Sequence, residues 1–89
     1  MLDATLRLDP RVAIRPEPFG ALAYHSGNRR LVFLRHPDVV RVVEALADHD
    51  TVADALTACS IETTRWPAFV RALDGLVGSE VLREHVIAR

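Results

Sequence analysis

With 89 residues, the chain is long enough for one small domain and too short for two. It is 49% hydrophobic and 26% charged with a net charge of −1, which is typical of a globular protein and excludes a disordered or fibrous chain. The near-neutral charge also argues against a dedicated nucleic-acid binder, because such proteins usually carry a basic excess that neutralises phosphates.

Charge is distributed unevenly along the chain. Every basic residue is an arginine; residues 1–36 contain six of them against three acids, whereas residues 37–89 contain five against nine.

The single cysteine, Cys59, cannot form an internal disulfide, so we predict a protein of the reducing cytoplasm. The sequence predicts no signal peptide and no membrane partner, since it has no apolar stretch of the roughly 20 residues that span a bilayer.

The two ends of the chain carry weak signals. Residues 1–10 have little periodicity, so we expect a flexible N-terminal arm in which Leu6 or Leu8 packs on the body of the protein. We predict a single domain over residues 11–83 and a C-terminal tail over residues 84–89. The sequence from Glu80 onwards fits either a short strand or a frayed end.

Alternating apolar residues predict two strands in the first half of the domain. They cover residues 11–15 and 20–25 and are joined by the proline-stiffened corner Pro16-Glu17-Pro18. In the second of these strands, Leu22 and Tyr24 lie on one face. The two strands are therefore expected to pair as neighbours in an antiparallel sheet.

The sequence Ser26-Gly27-Asn28-Arg29 is typical of a tight hairpin turn, because Gly and Asn tolerate a positive φ. It predicts a hairpin whose second arm is a third strand, Arg30–Leu34. This strand is apolar on both faces. Such a strand is either sandwiched between layers or has a free edge that can accept a partner.

A helical period begins after His36-Pro37 and predicts three helices. The first spans about residues 37–49, the second is short and capped by Thr51, and the third runs from about residue 64 to 78 with the strongest periodicity in the chain. Cys59 lies on the apolar stripe of the second helix, so we interpret it as a core residue.

Three strands followed by three helices predict an α+β, winged-helix-like fold, in which a three-stranded antiparallel sheet packs on a three-helix bundle. The second and third helices, separated by Ser60–Thr63, have the layout of a helix-turn-helix. This topology is used for several functions and by itself names none of them.

The sequence offers little for catalysis. It contains no glycine-rich phosphate loop, no Cys or His pair at metal-binding spacing and no nucleophile elbow. The four histidines lie at the ends of loops and elements, so we interpret them as solvated and predict no metal site. We therefore expect a protein that is not an enzyme and holds no cofactor.

The helix-turn-helix layout raises the alternative of a DNA-binding transcriptional regulator. Its recognition helix would present Thr63–Arg65, Ala68 and Arg71 to the groove. The acidic excess of the helical half and the presence of Pro67 in that helix argue against this role. We therefore favour a scaffold use of the topology and keep DNA binding as the alternative.

Peptide binding by strand addition is the hypothesis that the third strand supports. An exposed edge offers unpaired N–H and C=O groups to an extended peptide, and apolar side chains offer pockets. The third helix carries a stripe of small residues that either leaves a groove or forms a plain solvated face. The residues of this stripe are Ala68, Ala72, Gly75 and Ser79. Arg29, Arg30 and Arg35 flank the strand, where they either attract carboxylates of a peptide or protect the edge from aggregation.

Several stretches resemble the mycofactocin biosynthesis peptide chaperone family. The resemblance covers about residues 8–83 and is most specific in Arg15–Gly20 and Tyr24-His25, followed by the apolar strand Leu31–Leu34 and a valine-rich helix. This family is similar in turn to the precursor-peptide recognition elements, which include the small chaperone of pyrroloquinoline quinone biosynthesis. Those elements often start their first helix with a Leu-Asn-Glu-like sequence, and this chain has Arg35–Asp38 there instead.

The resemblance implies a bacterial, non-catalytic peptide chaperone. Such a protein binds the leader of a ribosomally made precursor peptide as an added strand on the third strand, against the third helix. It presents the precursor to a radical S-adenosylmethionine maturase, and neither a cofactor nor a nucleic acid is involved. The residues that the resemblance assigns to peptide binding are Arg30, Leu31, Val32, Phe33, Leu34, Arg35, Arg65, Ala68, Arg71, Ala72 and Gly75.

Within this set, the residues of the strand form the pairing edge, Arg30 and Arg35 are charge partners, and the residues of the helix form the groove wall. Phe33 fits a place in the core equally well. An apolar unpaired edge also predicts that two copies pair through it when no peptide is bound. Arg15–Gly20 is expected either to stiffen a corner that Phe19 fixes to the core or to meet the maturase.

Overall fold

The computed structural model describes residues 1–85, which form two antiparallel sheets and three α-helices. The elements are β1 (Leu6–Leu8), β2 (Val12–Glu17), β3 (Gly20–His25), β4 (Leu31–Leu34), α1 (Pro37–Ala45), α2 (Val52–Ala58), α3 (Trp66–Gly78) and β5 (Leu82–Glu84). Single 3-10 turns follow α1 at Leu46–Asp48 and precede α3 at Thr63–Arg65. The predicted α+β fold is confirmed, whereas residues 86–89 of the predicted tail lie outside the described residues.

The larger sheet is an antiparallel meander in the order β2-β3-β4. Glu17 pairs with Gly20, so only Pro18 and Phe19 form the turn between β2 and β3. Gly20 has φ +146°, and a Cβ atom at this position would lie 2.1 Å from the carbonyl oxygen of Leu34. Glycine is therefore required where the start of β3 passes the end of β4.

Pro16 lies inside β2 rather than in a corner between strands. It is tolerated because β2 is an edge strand of the sheet. The N–H of Ser26 donates to the carbonyl of Arg11, and because ladder hydrogen bonds alternate, the nitrogen of Pro16 faces the free side of β2.

The N-terminal segment contains a strand where the sequence suggested a flexible arm. β1 pairs antiparallel with β5, with Leu8 opposite Leu82, and Leu6 is 2% exposed. The carbonyl of Val81 also accepts a hydrogen bond from the N–H of Asp9. The sequence could not reveal this pairing because the two strands are short and lie more than 70 residues apart. Of the two alternatives for the C-terminal end, the short strand is the one observed.

The predicted helices are confirmed, with boundaries that follow from their caps. Nδ1 of His36 accepts a hydrogen bond from the N–H of Asp38 at 3.1 Å and caps α1, whose first residue is Pro37. Oγ1 of Thr51 accepts one from the N–H of Asp54 at 3.1 Å and caps α2. The Leu46–Asp48 turn extends α1 to the predicted end of the first helix.

The core lies between one face of the larger sheet and the three helices. β3 contributes Ala21 and Ala23, which are fully buried, and β4 contributes Leu34. The helical side of the core consists of Val42, Val43, Leu46, Val52, Ala55, Leu56, Phe69, Leu73 and Leu76. Cys59 is buried, as predicted.

His25 contradicts the prediction that the histidines are solvated. Its side chain is 1% exposed because it continues the inward-facing residues of β3 at the hairpin end. Nδ1 accepts hydrogen bonds from the N–H groups of Gly27 and Asn28 at 3.0 and 3.1 Å, so the imidazole holds the turn between β3 and β4. In residues 1–85, no helix is long and apolar enough to cross a membrane.

Candidate functional site

β4 is an edge strand, and its outer side is free of main-chain partners. The larger sheet ends at β4, and β4 pairs only with β3 in the part of the chain that the structure describes. An edge strand of this kind presents a row of N–H and C=O groups that can pair with another chain. The strand predicted to bind a peptide therefore has the free main-chain edge that strand addition requires.

The ladder geometry identifies which groups face outward. The N–H of His25 donates to the carbonyl of Arg30 at 3.0 Å, and hydrogen-bonded pairs alternate with non-hydrogen-bonded pairs in an antiparallel ladder. The register places Val32 and Leu34 in hydrogen-bonded pairs with β3, and it places Leu31 and Phe33 in non-hydrogen-bonded pairs. The main-chain groups of Leu31 and Phe33 consequently point away from the sheet.

The side chains of β4 alternate between core and solvent. Leu34 is 3% exposed and Val32 is partly buried on the core side, whereas Leu31 and Phe33 are 52% and 50% exposed on the other face. Of the two places that the sequence allowed for Phe33, the core is therefore the wrong one. Half-exposed apolar side chains beside a free edge are typical of a binding surface.

A groove runs from the end of β4 across the start of α1 to α3. Two adjoining hollows form it, and they share His36 and Val39. The first is lined by Phe33, Leu34, Arg35, His36, Val39, Ala72 and Leu76, and the second by His36, Val39, Thr64, Arg65, Ala68 and Phe69. Ala68 and Ala72 are one turn apart on α3, and their short side chains leave the space open.

An ion pair closes the Arg65 end of this groove. Nη2 of Arg65 lies 3.0 Å from Oδ2 of Asp38 and thereby joins the start of α3 to the first turn of α1. Nη1 of Arg41 lies 3.0 Å from the other carboxylate oxygen. Hydrogen bonds from Arg65 and Arg41 hold the pKa of Asp38 below its usual value of 3.8. The guanidinium of Arg65 also lies over the ring of Phe69, 5.1 Å from its centroid.

Arginines without ion pairs surround the free edge. In residues 1–85, no carboxylate oxygen lies within 4.0 Å of a guanidinium nitrogen of Arg29, Arg30 or Arg35. The guanidinium of Arg35 lies 5.1 Å from the centroid of the Phe33 ring, in a cation–π contact. These cations are available to a ligand that carries carboxylates.

The structure brings most of the predicted site residues together. Phe33, Leu34, Arg35, Arg65, Ala68 and Ala72 line the groove, and Leu31 and Val32 belong to the same edge strand. Arg30 lies at the hairpin end of β4. Arg71 and Gly75 are exposed on α3 and are not among the lining residues.

Sequence reasoning missed the contribution of α1. His36 and Val39 line both hollows of the groove, and Leu76 lines the first. The cap sequence His36-Pro37-Asp38 marks the start of a helix but does not show which elements that start contacts. Only the folded structure shows that β4, the start of α1 and α3 line one groove.

The groove is suited to binding rather than to chemistry. Its walls are mainly apolar, and its ionisable lining side chains are Arg35, Arg65 and the capping His36. Within residues 1–85, no three His, Cys, Asp or Glu side chains are grouped so as to hold a metal ion. An extended peptide with alternating apolar side chains and some carboxylates matches this surface.

Comparison with known proteins supports the resemblance seen in the sequence. The model of the peptide chaperone MftB family matches residues 5–83. The chain is 46% identical over 80 residues to the peptide chaperone MftB of Mycolicibacterium smegmatis, an alignment that covers 90% of this chain and 78% of the relative. The proteins of the same name from Mycobacterium ulcerans and Mycobacterium tuberculosis are 44% and 41% identical, with 90% of this chain and 73% of each relative covered. No solved structure gives a significant match.

Proposed function

The chain belongs to the peptide chaperone MftB family and is thus a peptide chaperone of mycofactocin biosynthesis, and we propose that it binds the leader of the precursor peptide as a strand added to β4. The family is one of non-catalytic chaperones, which confirms the prediction that the chain is not an enzyme. In this proposal the bound precursor is then presented to a radical S-adenosylmethionine maturase.

The observation that carries the proposal is the free edge of β4 beside an apolar groove. A strand added there receives main-chain hydrogen bonds from Leu31 and Phe33. Its side chains alternate, so every second one enters the groove against Ala68 and Ala72, and the others lie beside the exposed side chains of β4.

The arginines set the charge that the leader should carry. Arg30 and Arg35 are proposed to pair with carboxylates near the two ends of the added strand. Arg65 is proposed to shape the end of the groove through its ion pair with Asp38. We expect smaller contributions from Arg71 and Gly75, because they lie outside the lining of the groove.

Calorimetric titration with a synthetic leader tests the proposal, with a scrambled leader as control. Phe33→Pro removes an outward N–H and keeps the bonds to β3, much as Pro16 is accommodated in β2. Phe33→Ala removes the same side chain and keeps the N–H. We expect Phe33→Pro to bind the leader about five to ten times more weakly than Phe33→Ala, the cost of one hydrogen bond. Equal affinities of two folded variants would contradict strand addition.

Two further measurements separate the alternatives. Binding of a random DNA duplex that weakens steeply with salt, without binding of the leader, would favour the DNA-binding regulator. The proposed pairing of two copies through β4 predicts a dimer in sedimentation that dissociates when the leader is added. A dimer that persists with saturating leader would place self-association elsewhere on the protein.

A further inference from the structure

The outer face of the larger sheet, opposite the helices, carries a cluster of exposed apolar side chains. We call this cluster the outer patch; it consists of Phe19, Leu22, Tyr24, Leu31 and Phe33. Four of its members are 38–52% exposed, and they are all but one of the large exposed hydrophobic residues in residues 1–85. Isolated apolar residues on a surface are ordinary, but a contiguous group marks an interaction site.

Strand register explains why these side chains meet. Leu22 is opposite Phe33 and Tyr24 is opposite Leu31 in the pairing of β3 with β4. The turn between β2 and β3 adds Phe19, whose ring centroid lies 5.9 Å from that of Phe33 at an interplanar angle of 54°. Phe19 is therefore attached to the outer patch and not to the core.

The surroundings of the outer patch are basic. From Arg11 to His36 the chain contains five arginines and a single carboxylate, Glu17. Glu17 pairs with Arg15, since Oε1 of Glu17 accepts a hydrogen bond from Nε of Arg15 at 2.8 Å, and Arg11 pairs with Asp9. The basic excess around the patch is therefore carried by Arg29, Arg30 and Arg35. Arg35 stacks on the ring of Phe33 at the other border. A complementary surface would thus have an apolar centre and acidic borders.

We propose that the outer patch docks the maturase, through an apolar ridge bordered by carboxylates on that enzyme. This inference rests on the proposed function and assigns the surface that the second partner uses. A second copy of this chain fits the patch poorly, because two basic borders would face each other. The leader is expected on the edge of β4, where it reaches the patch only beside Leu31 and Phe33 and leaves Phe19, Leu22 and Tyr24 free.

Phe33 connects the two surfaces. Its main chain faces the free edge and its side chain lies in the outer patch, so a protein seated on the patch also contacts the added strand. The maturase would therefore recognise the chaperone and the bound leader as one continuous surface.

The test measures two affinities for each variant: that of the chaperone for the leader, and that of the chaperone for the purified maturase, with and without saturating leader. Tyr24→Glu places a carboxylate in the patch on β3, at its hairpin end and away from the peptide edge. Arg15→Glu reverses the charge of an exposed border residue on β2 and also removes its ion pair with Glu17. Ala47→Glu introduces the same charge at an exposed position outside the sheet and serves as the matched control.

We expect Tyr24→Glu to weaken maturase binding at least about tenfold, and Arg15→Glu about threefold to tenfold with an effect that shrinks at high salt. Leader affinity should stay within about twofold in both, and Ala47→Glu should change neither affinity. Circular dichroism verifies folding. If Tyr24→Glu does not fold, the maturase affinity of Arg15→Glu tests the proposal instead.

Failures of the two proposals are distinguishable. Unchanged maturase affinity in folded Tyr24→Glu and Arg15→Glu, or no maturase binding by the wild-type chain, would overturn the docking surface. A wild-type dimer that Tyr24→Glu dissociates without any effect on the maturase would assign the patch to a second copy and also overturn it. Absence of leader binding with intact, patch-dependent maturase binding would instead overturn the proposed function.

Discussion

Nε2 of His25 lies 3.6 Å from Oδ2 of Asp9, and both side chains are almost completely buried. Because Nδ1 of the imidazole accepts two main-chain hydrogen bonds, this pattern assigns the proton of the neutral ring to Nε2, on the side of Asp9. Asp9 also accepts hydrogen bonds from Nε and Nη2 of Arg11, each at 3.1 Å. The end of the β3–β4 hairpin thus lies against the segment that follows β1, without a hydrogen bond between the two side chains.

This arrangement predicts acid sensitivity that depends on Asp9. Hydrogen bonds from Arg11 hold the pKa of Asp9 far below its usual value of 3.8. A carboxyl group with a lowered folded-state pKa stabilises the fold above its unfolded-state pKa, and this stabilisation is lost as the pH falls towards the folded-state value. Urea unfolding at about pH 6 and about pH 2.5 should show a smaller loss of stability in Asp9→Asn than in the wild type.

Asp74→Asn, which changes an exposed carboxylate on α3, is the control for this experiment. Its free energy of unfolding should fall between about pH 6 and about pH 2.5 by the same amount as that of the wild type. The same loss of stability on acidification in Asp9→Asn and in the wild type would show that Asp9 does not determine the acid response.

Filling the groove should block the leader without unfolding the protein. Ala68→Phe places a large side chain between α3 and the start of α1, and we expect the leader to bind at least about tenfold more weakly because the space for its inward side chains is lost. Gly75→Ala is the matched change on the same helix, where an added Cβ meets nothing within 4 Å.

For Gly75→Ala we expect a free energy of unfolding raised by about 0.5–1 kcal/mol, from helix propensity, and leader affinity within about twofold of wild type. Calorimetry and urea unfolding provide both quantities. If folded Ala68→Phe binds the leader with wild-type affinity, the groove is not part of the binding site.

Gly20→Ala should be strongly destabilising. The substitution forces a side chain into a positive φ and into contact with the carbonyl oxygen of Leu34, which together should cost about 2–4 kcal/mol. Gly78→Ala, where an added Cβ meets nothing within 4 Å, controls for the change of residue type. If urea unfolding gives the two variants similar stability, the close approach of β3 to β4 is not as the structure describes.

The pairing of β1 with β5 predicts that the first residues contribute to stability. Leu6→Ala should lower the free energy of unfolding by about 2–4 kcal/mol, because Leu6 is 2% exposed in the core. Asp3→Ala, at an exposed residue of the same segment, should have little effect. A loss below about 0.5 kcal/mol in Leu6→Ala would restore the flexible arm that the sequence suggested.

Local sequence patterns were sufficient to predict the elements that are stabilised by residues close to them in the sequence. The turn before β4, the Thr51 cap of α2 and the amphipathic α3 were all predictable, because turns, caps and helical faces depend on residues a few positions apart. The free edge of β4 followed from its two apolar faces, although the sequence left open whether a second layer covered it.

Contacts between distant residues were not predictable in the same way. β1 and β5 are three residues each, too short for a periodic signal. Arg65 was expected to face a peptide, but it pairs with Asp38, 27 positions away, because α1 and α3 converge. The burial of His25 depends on main-chain donors in the turn, which a residue type alone does not reveal.

Pro16 makes the two edges of the larger sheet unequal. On the outer side of β2, Pro16 has no N–H and the N–H of Val12 is bonded to the carbonyl of Asp9, so Ile14 is the one remaining donor that the ladder directs outward. β4 can therefore accept a strand, whereas β2 is a poor template for one. If two copies pair through β4, both outer edges of the joined sheet are β2, so this pairing stops at two copies and does not lead to the open-ended stacking that produces fibrils.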